Sequence, residues 1–278
     1  MNKLLAVVLI GCAPLLAQAD PRPLWEFGMS LSVLEHPDYR GSSHYGFTPL
    51  PLPYFVYRGD KLRITRDGVR AELVERQRWH VDLSAAASLP NSGKNEGTAR
   101  EGMPRLLPTF EVGPSIDYWI TDDTPGQVQW RLRIPVRAVA GFNITHSRRV
   151  GFLVYPHLQA NELITRGTWN VQWSVGAGSL WAEHDYHEYF YNVDPQYATA
   201  TRPEYHARPG YSGARAGAFI SASRGRWGFG GGLTDDWLDG AVFRDSPLVE
   251  RRNSLVAGVY VVYRIFGSKE TVGGEVMP

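Results

Sequence analysis

Cysteine is nearly missing from this chain of 278 residues; the single one, Cys12, stands close to the N-terminus. That excludes a disulfide framework and any zinc or iron–sulfur site built from several thiolates. An excess of one charge is missing too. With 29 Lys and Arg against 28 Asp and Glu, there is no basic surplus of the kind a nucleic-acid partner requires. Past the N-terminal segment no run of about 18 apolar residues occurs, so no helical membrane span is expected. What the chain holds in quantity is aromatic surface: 9 Trp, 14 Tyr and 11 Phe, too much for a disordered polymer. The length suits one large domain or two small ones.

Met1-Asn2-Lys3 makes a short positive start, Leu4 to Ile10 an apolar stretch and Ala17-Gln18-Ala19 a small-x-small cleavage site. This is the anatomy of a signal peptide over residues 1–19. Cleavage there gives a chain that begins at Asp20, with acids and bases in balance and no thiol. A rival reading takes Leu9-Ile10-Gly11-Cys12 as a lipobox and makes Cys12 a lipidated N-terminus. Both readings export the chain.

The hydrophobic period is two. Trp25, Phe27, Met29, Leu31 and Val33 alternate with Glu26, Gly28, Ser30 and Ser32, which puts apolar groups on one face of a strand. The pattern recurs from Trp79, from Phe110, from Val128 and from Trp169. No segment shows convincing helical spacing, so the sequence predicts an all-β fold. Several strands run longer than the five or six residues usual in soluble sheets. Length of this order suits a tilted transmembrane strand, and backbone polar groups in lipid are all paired only if such a sheet closes. The expectation is a single closed antiparallel transmembrane β-barrel over 20–266, with a short tail over 267–278. Strands trace at 24–34, 50–58, 61–66, 69–75, 78–89, 107–120, 127–141, 149–163, 168–182, 210–223, 226–236 and 253–266. That makes about 12, an even number, as single-chain bacterial barrels have. The longer connections (35–49, 90–106, 183–209, 237–252) then share one side, as extracellular loops, and the tight ones the other, as periplasmic turns. Trp25, Trp79, Trp130, Trp169 and Trp227 fall near the start of outward-running strands, at one level, as a headgroup girdle would. A soluble sandwich or lipocalin-like barrel shows similar alternation but turns its apolar face inward.

Asp38-Tyr39-Arg40-Gly41-Ser42, and the run from Pro51 to Leu62 that contains Tyr54, Tyr57, Arg58, Gly59 and Asp60, resemble the opening of the MipA/OmpV family. Ser246-Pro247-Leu248-Val249 is similar to that family's late loop, and Tyr260 to Phe266 to its closing strand. The chain departs from the usual terminal aromatic by continuing from Gly267 to Pro278. The resemblance implies an outer-membrane protein of a Gram-negative bacterium, embedded in outer-membrane lipid. It further implies a scaffold, since the namesake brings a lytic murein transglycosylase together with a bifunctional murein synthase; the family also holds a protein linked to adhesion. No catalytic residue set comes with it, and neither enzyme activity nor cofactor nor metal is expected.

Few motifs carry chemistry. Glu183-His184-Asp185-Tyr186-His187-Glu188 concentrates acids and histidines in a long loop and reads either as a solvated loop or as a cation site. His80 and His157 fall on the inner face near Asp82 and Glu111, but no G-x-S-x-G accompanies them. The inner face also carries Glu26, Asp117, Arg131, Arg133, Arg137 and Arg215, which form either a salt-bridged plug or the lining of a narrow pore. Pro51 and Pro53 predict a bulged strand, or one starting in the first long loop. Three functions stay open: a murein scaffold, a narrow solute channel, and an adhesin using the Tyr-rich 183–209 loop.

Overall fold

The computed structural model describes residues 22–59, 62–65, 68–71, 74–76, 78–88, 95–121, 126–143 and 147–272. The export segment with Cys12, together with Asp60 and the end of the tail, lies outside the described residues. The strands are β1 (Arg22–Pro23), β2 (Trp25–Pro37), β3 (Tyr45–Arg58), β4 (Leu62–Thr65), β5 (Gly68–Ala71), β6 (Val74–Arg76), β7 (Trp79–Ser88) and β8 (Thr109–Trp119). They continue as β9 (Gln129–Phe142), β10 (Ser147–Val154), β11 (His157–Arg166), β12 (Trp169–Ala182), β13 (Gly210–Arg224), β14 (Trp227–Trp237), β15 (Asn253–Gly267) and β16 (Thr271–Val272). One helix, α1 (His184–Tyr191), and one 3-10 turn (Pro195–Tyr197) interrupt them.

All pairings are antiparallel, and most join chain neighbours. The exceptions are β1 with β16, the crossings around the break between β10 and β11 (β9 with β11, β10 with β12), and β2 with β15, where the first long strand meets the last from Glu35↔Ala257 to Glu26↔Gly267. The hydrogen-bonded path therefore runs from β5 through β4, β3, β2 and β15 round to β7 and β6. Its two ends are consecutive in the chain, and β5 lies against β7. The described ladders do not cross that last join, so the wall is a curled sheet whose two ends lie near each other at β5 and β7.

The same stretch alters the strand count. Twelve required full strands at 61–66 and 69–75, but among the described residues this region supplies pieces of three and four residues. β10 and β11, by contrast, are one strand interrupted at Tyr155-Pro156, where proline has no N–H to give. The wall amounts to about 11 strands. β3 is not bulged; it begins at Tyr45, inside the first long loop, as the second reading of Pro51 and Pro53 expected, and pairs with β2 in unbroken register from Tyr45 to Tyr57. Among the described residues its other edge is paired at Tyr57 and Arg58, away from Pro51 and Pro53, which have no N–H to give a ladder.

Burial follows the alternation with inverted sense. Met29, Leu31, Ile220 and Val259 are exposed on the outer face, the last at 64%, while Asp82, Ser115, Asp117 and Ser254 on the inner face are at 2% or less. The main apolar clusters belong to the connections. Residues 38–44, 95–108, 183–209 and 238–252 gather at one end, around Tyr39, Tyr191, Val193, Leu238, Phe243 and Leu248. At the opposite end the connections are tight, and β1 pairs with β16 through Arg22↔Val272 and Pro23↔Thr271. The tail thus folds back along the N-terminal segment as far as Val272, fixed further by Trp25 N–H donating to Ser268 Oγ at 3.3 Å.

Candidate functional site

Charges line the interior in three groups, stacked from the tight-turn end to the long-loop end. At the turn end Glu26 accepts from Tyr54 Oη at 3.0 Å and from Arg264 at 3.1 Å, with Arg58 Nη1 at 3.2 Å. Arg58 also donates to the Pro23 carbonyl at 2.8 Å, tying the N-terminal segment to this cluster. Tyr57 pairs with Trp25 across the ladder, and its ring closes over Gly59, where a Cβ would collide with Tyr57 Cε1.

In the middle group Asp117, fully buried, accepts from Ser115 Oγ at 2.5 Å and Arg133 Nε at 2.8 Å. Arg131 lies 3.8 Å from the same carboxylate, donates to Gln159 at 3.1 Å and covers the Trp119 ring. Arg137 meets Glu111 at 3.2 Å and Ser84 Oγ at 2.8 Å, and Asp82 is buried on the same face. Opposite charges this close in a site shielded from water offset one another's desolvation. The third group centres on Asp236, which accepts from Arg215 at 2.7 and 2.9 Å and lies 3.2 Å from Arg40 Nε. So the eight inner charges read from sequence all occupy the inner wall, in separate clusters. Asp236, the carboxylate of the third cluster, was not among them. Its own alternation, Gly232-Thr234-Asp236 against Leu233-Asp235-Trp237, was the available signal.

Above Asp236 the long loops form a cap, and here the two distant family segments meet. Tyr39 Oη donates to the Leu248 carbonyl at 2.8 Å, Ser246 Oγ to that of Tyr191 at 2.8 Å, and Tyr191 Oη to that of Arg40 at 3.0 Å. Gly41 adopts φ +93°, a conformation glycine reaches without strain, and its N–H donates to Ser254 Oγ at 2.6 Å. Its carbonyl in turn accepts from the N–H groups of Glu250 and Arg251. Ser42 and Ser246 are buried beside them, and Pro247 is half-buried. Burial pushes the Tyr39 and Tyr191 hydroxyls well above their ordinary range and that of Tyr186 to about 12, so all three stay neutral.

The helix α1 corrects the expectation that no segment is helical. Tyr186–Phe190 and His187–Tyr191 are i,i+4 pairs on its inward face, a signal confined to eight residues. Tyr191 stacks on Phe243 with ring centroids 3.7 Å apart. The acidic–histidine run does not converge on a point: Glu183 and Asp185 face Arg149 at 3.0 and 3.7 Å, and His184 faces Glu188 at 3.4 Å. Among the described residues no group of three or more His, Cys, Asp or Glu is placed to hold a metal ion. Tyr186, Tyr189 and Tyr191 turn into the cap, so the loop does not present them outward.

His187 Nδ1 donates to the Arg208 carbonyl, leaving Nε2 to accept from Ser212 Oγ. The pair has the polarity of a nucleophile and its base, yet both residues are at 1% exposure or less, roofed by Tyr191 and Phe243. Burial, reinforced by the nearby Arg40 and His184 charges, holds the His187 imidazole down to about 4. It is a neutral packing element. His157 stacks on Tyr155 and donates to its carbonyl, and His80 sits edge-on to Trp119.

A comparison with family models matches residues 29–265 to "MltA-interacting protein MipA". The match takes in both segments that meet in the cap. No curated protein matches the sequence. Among solved structures, an outer membrane channel from Pseudomonas putida F1 is similar at 11% identity, over 92% of this chain and 100% of that one, with TM-score 0.41. A bacterial polysaccharide outer membrane secretin is similar at 10% identity over 89% and 100%, with TM-score 0.36. CymD, a monoaromatic hydrocarbon channel, is similar at 9% identity over 88% and 89%, with TM-score 0.33.

Proposed function

Because the chain belongs to the MltA-interacting protein MipA family, we propose that it is a non-enzymatic outer-membrane β-barrel that docks a murein transglycosylase at its periplasmic rim. A murein synthase is the second partner that the scaffold reading calls for. Residues 1–19 direct its export, the curled sheet closes at the 62–76 seam, and the outer face sits in outer-membrane lipid. The family match over residues 29–265 carries the reading. The outward Leu31, Ile220 and Val259 support the lipid placement, because groups so exposed would cost solubility in water. The paired charges along the axis and the cap over its end support a scaffold over a transporter.

Docking has little surface to use. The tight turns offer only a few residues each, and the β1–β16 pairing lies on that side. A stable interface buries roughly 1,200 Å² or more, so the contact is a transient one. Immobilised full-length protein in mild detergent should retain a soluble murein transglycosylase from a periplasmic extract. Repeated recovery of the bait alone would remove the scaffold claim.

A narrow channel is the second reading. It is favoured by a cavity of about 290 Å³ on the inner side of the glycine-rich wall, lined by Ser32, Gly217, Gly232, Thr234, Gly258 and Tyr260. Planar-bilayer recording separates the two. The scaffold reading expects silent insertion; the channel reading expects anion-selective steps that shrink in Arg131→Ala or Arg133→Ala.

A further inference from the structure

The two ends of the interior are finished differently, and the turn end has charge to spare. A cavity of about 470 Å³ lies there, with Glu26, Tyr54, Arg58, Arg224, Arg226 and Arg264 in its lining. Among the described residues this lining thus holds four guanidinium groups and one carboxylate. That carboxylate is already committed, to Tyr54 at 3.0 Å, Arg264 at 3.1 Å and Arg58 at 3.2 Å. Arg58 exposes 11% of its side chain, and its Nε is buried with no hydrogen-bond partner. Arg224 and Arg226 flank the Gly225 turn and are exposed; Arg224 lies over the Trp169 ring at 5.6 Å.

A guanidinium fork matches the oxygens of a phosphate, and positive charge held away from water is stabilised by an anion that completes it. Location selects the anion. Trp169 and Trp227 are exposed on the outer face at this same end, and such rings settle at headgroup level. Lipid phosphates occupy that layer, and small phosphorylated solutes reach it from the periplasm. We infer that this vestibule is a phosphate-binding site, filled by the phosphate of a lipid headgroup or of a small solute. The inference needs the orientation given above but not the docking of any enzyme, so either can fail alone.

The test uses the full chain in a maltoside detergent, with folding verified by the change of gel mobility on heating. One arm titrates inorganic phosphate and follows the phosphorus NMR linewidth. The other adds phosphatidylglycerol to the micelles and measures lipid retained through repurification, against phosphatidylcholine. Saturable binding in the first arm assigns a solute site, and preferential phosphatidylglycerol retention in the second a headgroup site. Arg224→Ala combined with Arg226→Ala should weaken whichever is seen at least tenfold, and Glu26→Gln should strengthen it by removing the competing carboxylate. If the paired substitution disturbs folding, Arg226→Gln alone should still weaken binding severalfold. Absence of binding in both arms, or variants that bind like the parent, would overturn the site.

Discussion

The wall and the cap bury opposite kinds of side chain. In the wall, Ile220 and Val259 face outward at 57% and 64% exposure, while Asp117 and Asp82 face inward at 0% and 2%. In the cap, Tyr191, Val193, Leu238, Phe243 and Leu248 are at 1% or less, and Asp239 and Asp245 stay at the surface. One chain thus follows two rules, and the level at which the rule changes marks where its surroundings change. A wall in hydrocarbon gains nothing by hiding leucine from lipid and must instead pair what is polar. Loops in water gain about 25 cal/mol for each Å² of apolar surface they cover, so they assemble an ordinary core. The two regimes join at Asp236, a wall residue whose partners are Arg215 of the wall and Arg40 of the cap.

That joint is where the comparison breaks most severely. Asp236→Ala strands two guanidiniums in a buried place, and removal of one member of such a pair costs about 3–5 kcal/mol. The temperature at which the folded gel band converts to the unfolded one should fall markedly; an unchanged conversion would mean that Asp236 is not the keystone. Phe243→Ala comes next. It empties a fully buried site against the Tyr191 ring, at about 3–4 kcal/mol for a residue of this size. Here the loss should stay local: protease should cut within 183–209 while the conversion temperature of the wall holds. Equal loss in both readouts would show that cap and wall fold as one unit.

How much of this was legible depends on which rule a residue obeys. Period-two alternation fixes the side of every wall residue, so the all-β antiparallel sheet and the inner position of Arg131, Arg133 and Arg137 could be read directly. Pairing could not. Whether Arg40 meets Asp236 or another acid depends on loop closure across 196 positions, and no local pattern encodes it. The family segments at 38–42 and 246–247 were recognisable as strings, but that they touch through Tyr39, Tyr191 and Ser246 is a tertiary fact. The helix was missed because two i,i+4 aromatic pairs inside a polar loop fall short of any window in which periodicity can be counted. The strand count slipped at 62–76, where the described ladders are two to four pairs long.

The cap should also answer to acid. His187 is held to about 4 in the folded cap, chiefly by burial, against 6.5 for an exposed imidazole. Between those values the unfolded segment binds a proton that the folded one refuses. Stability of the cap is therefore complete above pH 6.5, declines as pH falls towards 4 and levels off below it. The shift corresponds to at most about 3 kcal/mol. Protease cleavage of 183–209 should rise between pH 7 and pH 4.5, and His187→Asn should flatten that rise. A rise unaltered by the substitution would assign it to another group.

The smallest effect is expected at the rim of α1, where Arg149 reaches Glu183 at 3.0 Å and Asp185 at 3.7 Å with 65% of its side chain exposed. A pair so open to water gains little from its charges and loses side-chain freedom in forming, so Arg149→Ala should leave both the conversion temperature and the cleavage of 183–209 unchanged. The substitution decides what holds the helix down. If its loss opened the cap as far as Phe243→Ala does, α1 would be fastened from outside by charge. If it does nothing, the stacked rings of Tyr191 and Phe243 hold it from within, as a core in water does.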